Sequence, residues 1–290
     1  MEYVSAITET HCQQVTVEIR PWSADHCFGG QVILPAVETM SILALSAKAF
    51  RPELQVIEMK KGRFDKFLAI DPQQGSLTAF VELGAYDNGD IGATLFTKTR
   101  IASMARVKAH GSITFTGRLT PPRTGGFISE EEIQGPTFTV SADSIYRELV
   151  PFGPAYRNIT GSLQLSAAGG QTMVQAPELP ATHEPVLLGS PFPLDAAFHA
   201  ACAWSQRYQG LVAFPVGFEE RVIRQATQAG ERYAVYFTAT GIVEDLLLFD
   251  LEICDGGGTL CESVSGLRMR DVSGGRLKPP PWIRAGLSEN

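Results

Sequence analysis

Apolar and polar residues alternate with a period of two along most of the chain, the pattern of half-buried strands. In the first half it runs through QVTVEIR (14–20), LTAFVELGAY (77–86), ATLFTKTRIA (93–102) and HGSITFTGR (110–118). A second series follows residue 136: ITGSLQLSAA (159–168), QTMVQAPE (171–178), RYAVYFTATGI (232–242), LLFDLEICD (247–255) and LCESVSGLRMR (260–270). Turn residues separate the strands, notably DNGD at 87–90 and DGGG at 255–258.

Two segments break this pattern and read as long, buried helices. AVETMSILALSAKAF (36–50) is entered through Pro35, a residue favoured at a first helical position, and LDAAFHAACAWSQRY (194–208) through Pro193. SADSIYREL (141–149) predicts a shorter amphipathic helix with Ser141 as its N-cap. Each half of the chain thus holds one apolar helix and a set of strands. The fold class that follows is α+β, two copies of a curved antiparallel sheet wrapped around a central helix. The expected boundaries are a first unit at 1–118, a Pro/Gly-rich and charged linker at 119–136, a second unit at 137–272 and a surface tail at 273–290.

Length and composition fit that reading. The 290 residues accommodate two compact units, and 44% hydrophobic with 19% charged residues describes a globular chain. A net charge of −7 excludes a nucleic-acid partner, because no Lys/Arg cluster exists to neutralise a phosphate backbone. The densest basic run, EMKKGR at 58–63, reads as a solvated strand end. Five cysteines without a Cys-x-x-Cys pair form neither a disulfide framework nor a zinc site, which points to a reducing cytoplasm. The N-terminus lacks a signal-peptide pattern, and no apolar run is long enough to span a membrane. The initiating Met and free tail favour a stand-alone polypeptide over an excised domain.

Three short stretches carry candidate chemistry. His26 stands directly before Phe28-Gly29-Gly30 and an apolar run ending at Pro35. Alone, such a histidine is more often a satisfied core or loop residue than a catalyst. Here, however, the glycines let backbone approach a ligand, and the N–H groups around the helix start can hold a carbonyl oxygen that gains charge. Asp195 and His199, at i and i+4, share one face of an apolar helix. A carboxyl in such a setting tends toward its protonated form and can act as an acid; the plainer reading is an aspartate placed against the helix dipole with His199 as its partner. The third stretch, VPFGPAYRNI (150–159), is a rigid corner.

Taken together and in order, His26-x3-Gly30-x4-Pro35, Phe152-Gly153-Pro154-x-Tyr156 and Asp195-x3-His199 resemble the dehydratase domains of polyketide synthases and polyunsaturated fatty acid synthases. Those domains carry a His-x3-Gly-x4-Pro, a Tyr-Gly-Pro and an Asp-x3-Gln/His motif in that order. FPVGFEERVIR (214–224) and FDLEICDGGGTLCESVSGLRMR (249–270) resemble stretches of their second half, so the likeness runs from about residue 12 to 272. Two departures stand out. Phe152 replaces the motif tyrosine, and ETHCQQVTVEIR stands where the family opens with His-Pro-Leu-Leu-Gly.

The resemblance implies a double hotdog with one active site between the units. It implies elimination of water from a (3R)-3-hydroxyacyl thioester, borne on the phosphopantetheine of acyl carrier protein, in polyketide or fatty acid synthesis. In that scheme His26 is the general base, Asp195 the protonated general acid and His199 its support. The Gly30 amide holds the thioester oxygen, and Pro35, Phe152, Gly153, Pro154 and Tyr156 shape the substrate site. Neither metal nor diffusible cofactor is implied. Partners would be acyl carrier protein, docking on a local basic spot drawn from Lys60, Lys61, Arg63 and Arg157, with other synthase domains and a second copy of the chain. Two alternatives remain: a product-template or cyclase-type double hotdog with a wide chamber, and a non-catalytic carrier-binding module.

Overall fold

A computed structural model describes residues 5–64, 66–101, 104–117, 137–180 and 186–287. The linker expected at 119–136 lies outside the described residues. The first series of strands is β1 (Ile7–Glu18), β2 (Cys27–Phe28) and β3 (Gln31–Val32), then helix α1 (Ala36–Phe50), then β4 (Glu58–Arg63), β5 (Ser76–Tyr86), β6 (Ile91–Ile101) and β7 (Met104–Phe115). The second is β8 (Phe138–Ser141), α2 (Ala142–Ser144), β9 (Ile159–Ser166), β10 (Gly169–Gln175), α3 (Phe192–Tyr208), β11 (Phe214–Ile223), β12 (Arg232–Val243), β13 (Leu246–Cys254) and β14 (Leu260–Arg270).

Twelve of these strands form one sheet, ordered β1-β5-β6-β7-β4-β11-β14-β13-β12-β10-β9-β8, while β2 and β3 make a separate hairpin. Each half of the sheet curls around its own helix. Helix α1 packs on β5, β6 and β7, and α3 on β9, β10, β12 and β13. The α+β double-hotdog architecture therefore holds, with the two units fused edge to edge.

The alternation explains the faces. In β5, Ala79, Val81 and Leu83 are fully buried beneath α1, whose own buried stripe is Val37, Met40, Leu43, Ala44 and Ala47. Helix α3 has no solvent face: every residue from Phe192 to Arg207 is buried. An all-round buried helix must find internal partners for its polar residues. Arg207 finds one, donating to the Ile283 carbonyl at 2.6 Å.

Several elements differ from the expectations. EMKKGR is not a solvated strand end but β4, the central strand that pairs with β7 on one side and β11 on the other. Its Glu58 and Met59 are buried, and Lys60 is held between Glu58 and Glu220 at 3.1 and 3.6 Å. Gly62 is required here, since a Cβ would meet the Phe218 ring at 2.4 Å. Strand β1 starts seven residues earlier than the alternation suggests, and its first six residues are exposed, so burial leaves no mark on their sequence. Helix α3 begins at Phe192, two residues early. Ser141 does cap α2, accepting the Ser144 N–H at 3.2 Å, but the helix does not continue as one coil. Ile145–Leu149 is a wider turn, closed by Val150 N–H on the Ile145 carbonyl at 2.8 Å. The tail is no loose surface segment up to residue 287. Ile283 is fully buried, and Trp282 Nε1 donates to Glu148 at 2.6 Å.

A buried ion pair in the second half holds a side chain that reaches across the seam. Arg221 of β11 binds both Glu262 oxygens of β14, at 2.7 and 3.1 Å, and its Nη1 lies 3.2 Å from Met40 Sδ of α1. Glu262→Ala strands that guanidinium in the core and should cost about 3–5 kcal/mol. Urea denaturation checks this, and an unchanged midpoint would show that the pair is dispensable.

Candidate active site

The polar residues of α3 place the chemistry. Asp195 sits in its first turn and His199 one turn on, both about 4% exposed. His199 Nε2 lies 3.0 Å from Asp195 Oδ2. The two atoms are close but poorly aligned, so neither is spent in a directed hydrogen bond. Burial pushes the Asp195 carboxyl up, but electrostatic attraction to His199, and to a smaller extent to His26, outweighs it and holds the group below the ordinary carboxylate range. The neighbours thus oppose the effect that burial alone would have.

His26 arrives from the other half of the chain. It follows a tight helical turn, Pro21–Asp25, and precedes the β2–β3 hairpin. Its Nδ1 is 2.9 Å from the Ile33 carbonyl, while the Ile33 N–H donates to the His26 carbonyl at 3.1 Å. A ring that donates through Nδ1 leaves Nε2 bare and basic. Burial is the chief cause lowering its pKa below 6.5, opposed by Asp195 and assisted by His199. The charges of His26 and Asp195 therefore act on each other across one space.

That space is a small cavity of about 50 Å³, lined by His26, Phe152, Asp195 and His199 with an aromatic wall of Phe28, Phe67 and Phe214. Phe214 meets Phe28 and Phe67 edge to face, at 4.3 and 6.2 Å between centroids. The Phe152 ring lies between the two imidazoles, 4.4 Å from His26 and 5.1 Å from His199. A phenylalanine there touches both imidazoles without offering a proton of its own.

The remaining motif residues surround this wall instead of lining it. Gly29 and Gly30, at φ +58° and +79°, form the exposed tip of the β2–β3 hairpin, a two-residue turn that demands the left-handed region twice. Pro35 directly precedes α1, and its carbonyl accepts from Glu38 and Thr39. Gly153, Pro154 and Tyr156 build the corner behind Phe152. Tyr156 packs on His26 at 4.9 Å between centroids. Arg157, a docking candidate, instead donates to the Phe152 carbonyl at 2.8 Å and braces the corner.

Three residues missed in the sequence complete the arrangement. Asp25 joins the halves: its carbonyl accepts the Gly153 N–H at 2.8 Å and its Oδ2 the Ala155 N–H at 2.9 Å. Glu38 of α1 accepts the buried Tyr156 hydroxyl at 2.9 Å. Tyr146 reaches His199 Nδ1 at 3.4 Å. Adjacency to His26 marks Asp25, and an acid in an apolar helix marks Glu38; SIYREL offers no comparable sign for Tyr146. Among the described residues no group of three or more His, Cys, Asp or Glu could hold a metal ion, and no helix is long and apolar enough to cross a membrane.

Comparison with known proteins gives the following. The family model for the polyketide synthase dehydratase N-terminal domain matches residues 131–279. A dehydratase domain of a mycocerosic acid synthase-like polyketide synthase superposes with a TM-score of 0.70 at 16% identity, covering 92% of this chain and 93% of that one. The dehydratase domain from the CurJ module of the curacin polyketide synthase gives 0.70 at 18% identity, with 92% and 93% covered. A trans-AT polyketide synthase dehydratase domain from Brevibacillus brevis gives 0.67 at 18% identity, with 90% and 93% covered. At these identities the likeness to solved structures speaks for the fold. A search of curated proteins finds no match.

The Asp25 clamp generates a prediction. A Cβ on Gly153 would lie 2.2 Å from Asp25 Oδ1 and 2.7 Å from Asp25 Cβ. Gly153→Ala should cost about 1–3 kcal/mol and shift the His26 ring resonances in NMR spectra. A variant with wild-type melting and an unmoved His26 signal would show that the corner does not set the imidazole.

Proposed function

The chain belongs to the polyketide synthase dehydratase family, enzymes that eliminate water from hydroxyacyl thioesters, and on that premise we propose how its own residues do so. The substrate is a (3R)-3-hydroxyacyl thioester on the phosphopantetheine of acyl carrier protein, and the product a trans-2-enoyl thioester. One observation carries the assignment of roles: His26 and Asp195, from opposite halves of the chain, line the same cavity with Phe152 between the imidazoles.

His26 Nε2 takes the C2 proton. The electrons of that C–H bond form the C2–C3 double bond, and the C3–O bond breaks. The departing hydroxyl accepts a proton from Asp195 and leaves as water. The imidazolium then returns its proton to the acid, which closes the cycle. Positioning and thioester activation supply the acidity, so this reading calls on no metal or diffusible cofactor. A small cavity of about 50 Å³ favours elimination on a short unit over closure of a long poly-β-keto chain, which needs a wide chamber.

Two measurements test this. His26→Ala should abolish conversion of a carrier-bound 3-hydroxyacyl chain, followed by mass spectrometry for loss of water. Asp195→Asn should slow it by about 10²–10⁴-fold. Near wild-type turnover in both variants would remove the assignment. The pH dependence has a defined sign. A base with its pKa below 6.5 is still neutral at that pH, so kcat/KM should hold as pH falls to 6.5 and decline only below it. A decline already centred above 6.5 would point to a different base.

A further inference from the structure

Asp195 must give up a proton at the moment C3–O breaks, and His199 is the neighbour that bears most on that carboxyl. Which nitrogen of His199 carries the ring proton therefore matters, and Tyr146 is placed to decide it.

Tyr146 is 5% exposed, on the wide turn Ile145–Leu149. Its hydroxyl oxygen accepts the Ile159 N–H at 2.8 Å. With the oxygen engaged by a backbone donor, the phenol's single proton is left to point elsewhere. His199 Nδ1 stands 3.4 Å away, the two rings edge to face at 83°. Burial pushes the phenol pKa far above 10, so the donor keeps its proton at any working pH. An Nδ1 that accepts from Tyr146 leaves the neutral ring's proton on Nε2, the nitrogen 3.0 Å from Asp195 Oδ2. A second proton on Nδ1 would face the phenolic hydrogen head-on.

We propose that Tyr146 is a positioning residue that acts through His199, fixing its ring proton on Nε2 and so setting which ring atom faces the Asp195 carboxyl. The inference rests on Asp195 being the proton donor. The titratable and charged groups around the pair are His26 from the hairpin side, Tyr146 from the wide turn, Tyr156 and Arg157 from the corner, and Cys202 on α3 itself. Of these, Tyr146 is the one neutral donor aimed at His199.

Tyr146→Phe in the full chain tests the idea with readouts that a filler role would not move. ¹⁵N spectra of the wild type should show His199 Nδ1 in the bare-nitrogen range at pH 7, and in Tyr146→Phe that signal should move toward the protonated range. In this variant kcat should fall with KM little altered. In a His199→Gln background, adding Tyr146→Phe should cost nothing further in kcat. An unmoved Nδ1 signal, or an equal penalty in both backgrounds, overturns the proposal. Should Tyr146→Phe fail to fold, Tyr146→3-fluorotyrosine keeps the ring and strengthens the donor; a wild-type Nδ1 shift there counts against it as well. The spectra need no turnover, so an inactive wild type would sink the dehydratase reading and leave this inference to be decided by NMR.

Discussion

The antiparallel pairing of β4 with β11 is the contact on which the rest of the molecule depends. Each half could bury its own helix without it, but the site needs residues from both. Met59 opposite Arg221, and Gly62 beneath Phe218, fix one register, and in a sheet a slip of one residue would turn every side chain to the other face. With that register set, His26 and the first turn of α3 border a common cavity. The Arg221 contact with Met40 and the Asp25 clamp then hold the same relation at two further points.

Protonation follows from packing more than from any single side chain. His26 is kept neutral by burial and aimed by the Ile33 carbonyl, so its basic nitrogen faces the cavity. Asp195 is buried just as deeply, yet its state depends on the two rings beside it. An apolar wall of phenylalanines raises the strength of each of these interactions, because little competing polarity remains. Phe152 contributes through shape: it keeps the two imidazoles apart while touching both.

Much of this was legible in the chain. The apolar runs after Pro35 and Pro193 mark the two central helices, and the i, i+4 spacing of Asp195 and His199 gives their shared face. The period-two segments mark strands wherever one face is buried. EMKKGR was misleading because two of its lysines and its arginine sit on a strand whose importance lies in its backbone pairing, which side-chain pattern does not record. Asp25, Glu38 and Tyr146 escaped for a related reason. Their partners are Gly153, Tyr156 and His199, each supplied by another element, and no local period connects such residues. The tail failed for a third reason, since a Pro-rich stretch reads as a surface segment until Ile283 is seen beneath Arg207.

The Asp25 clamp has a consequence for how such chains diversify. Gly153 is compact because Asp25 occupies the room a side chain would take, so the two positions form a lock whose parts lie 128 residues apart. A chimaera that took one lobe from a distant relative could preserve each hydrophobic interior and still misplace the imidazole. Recombination between family members is thereby restricted to pairs whose lobes share this fit, and a lobe is not a portable cassette.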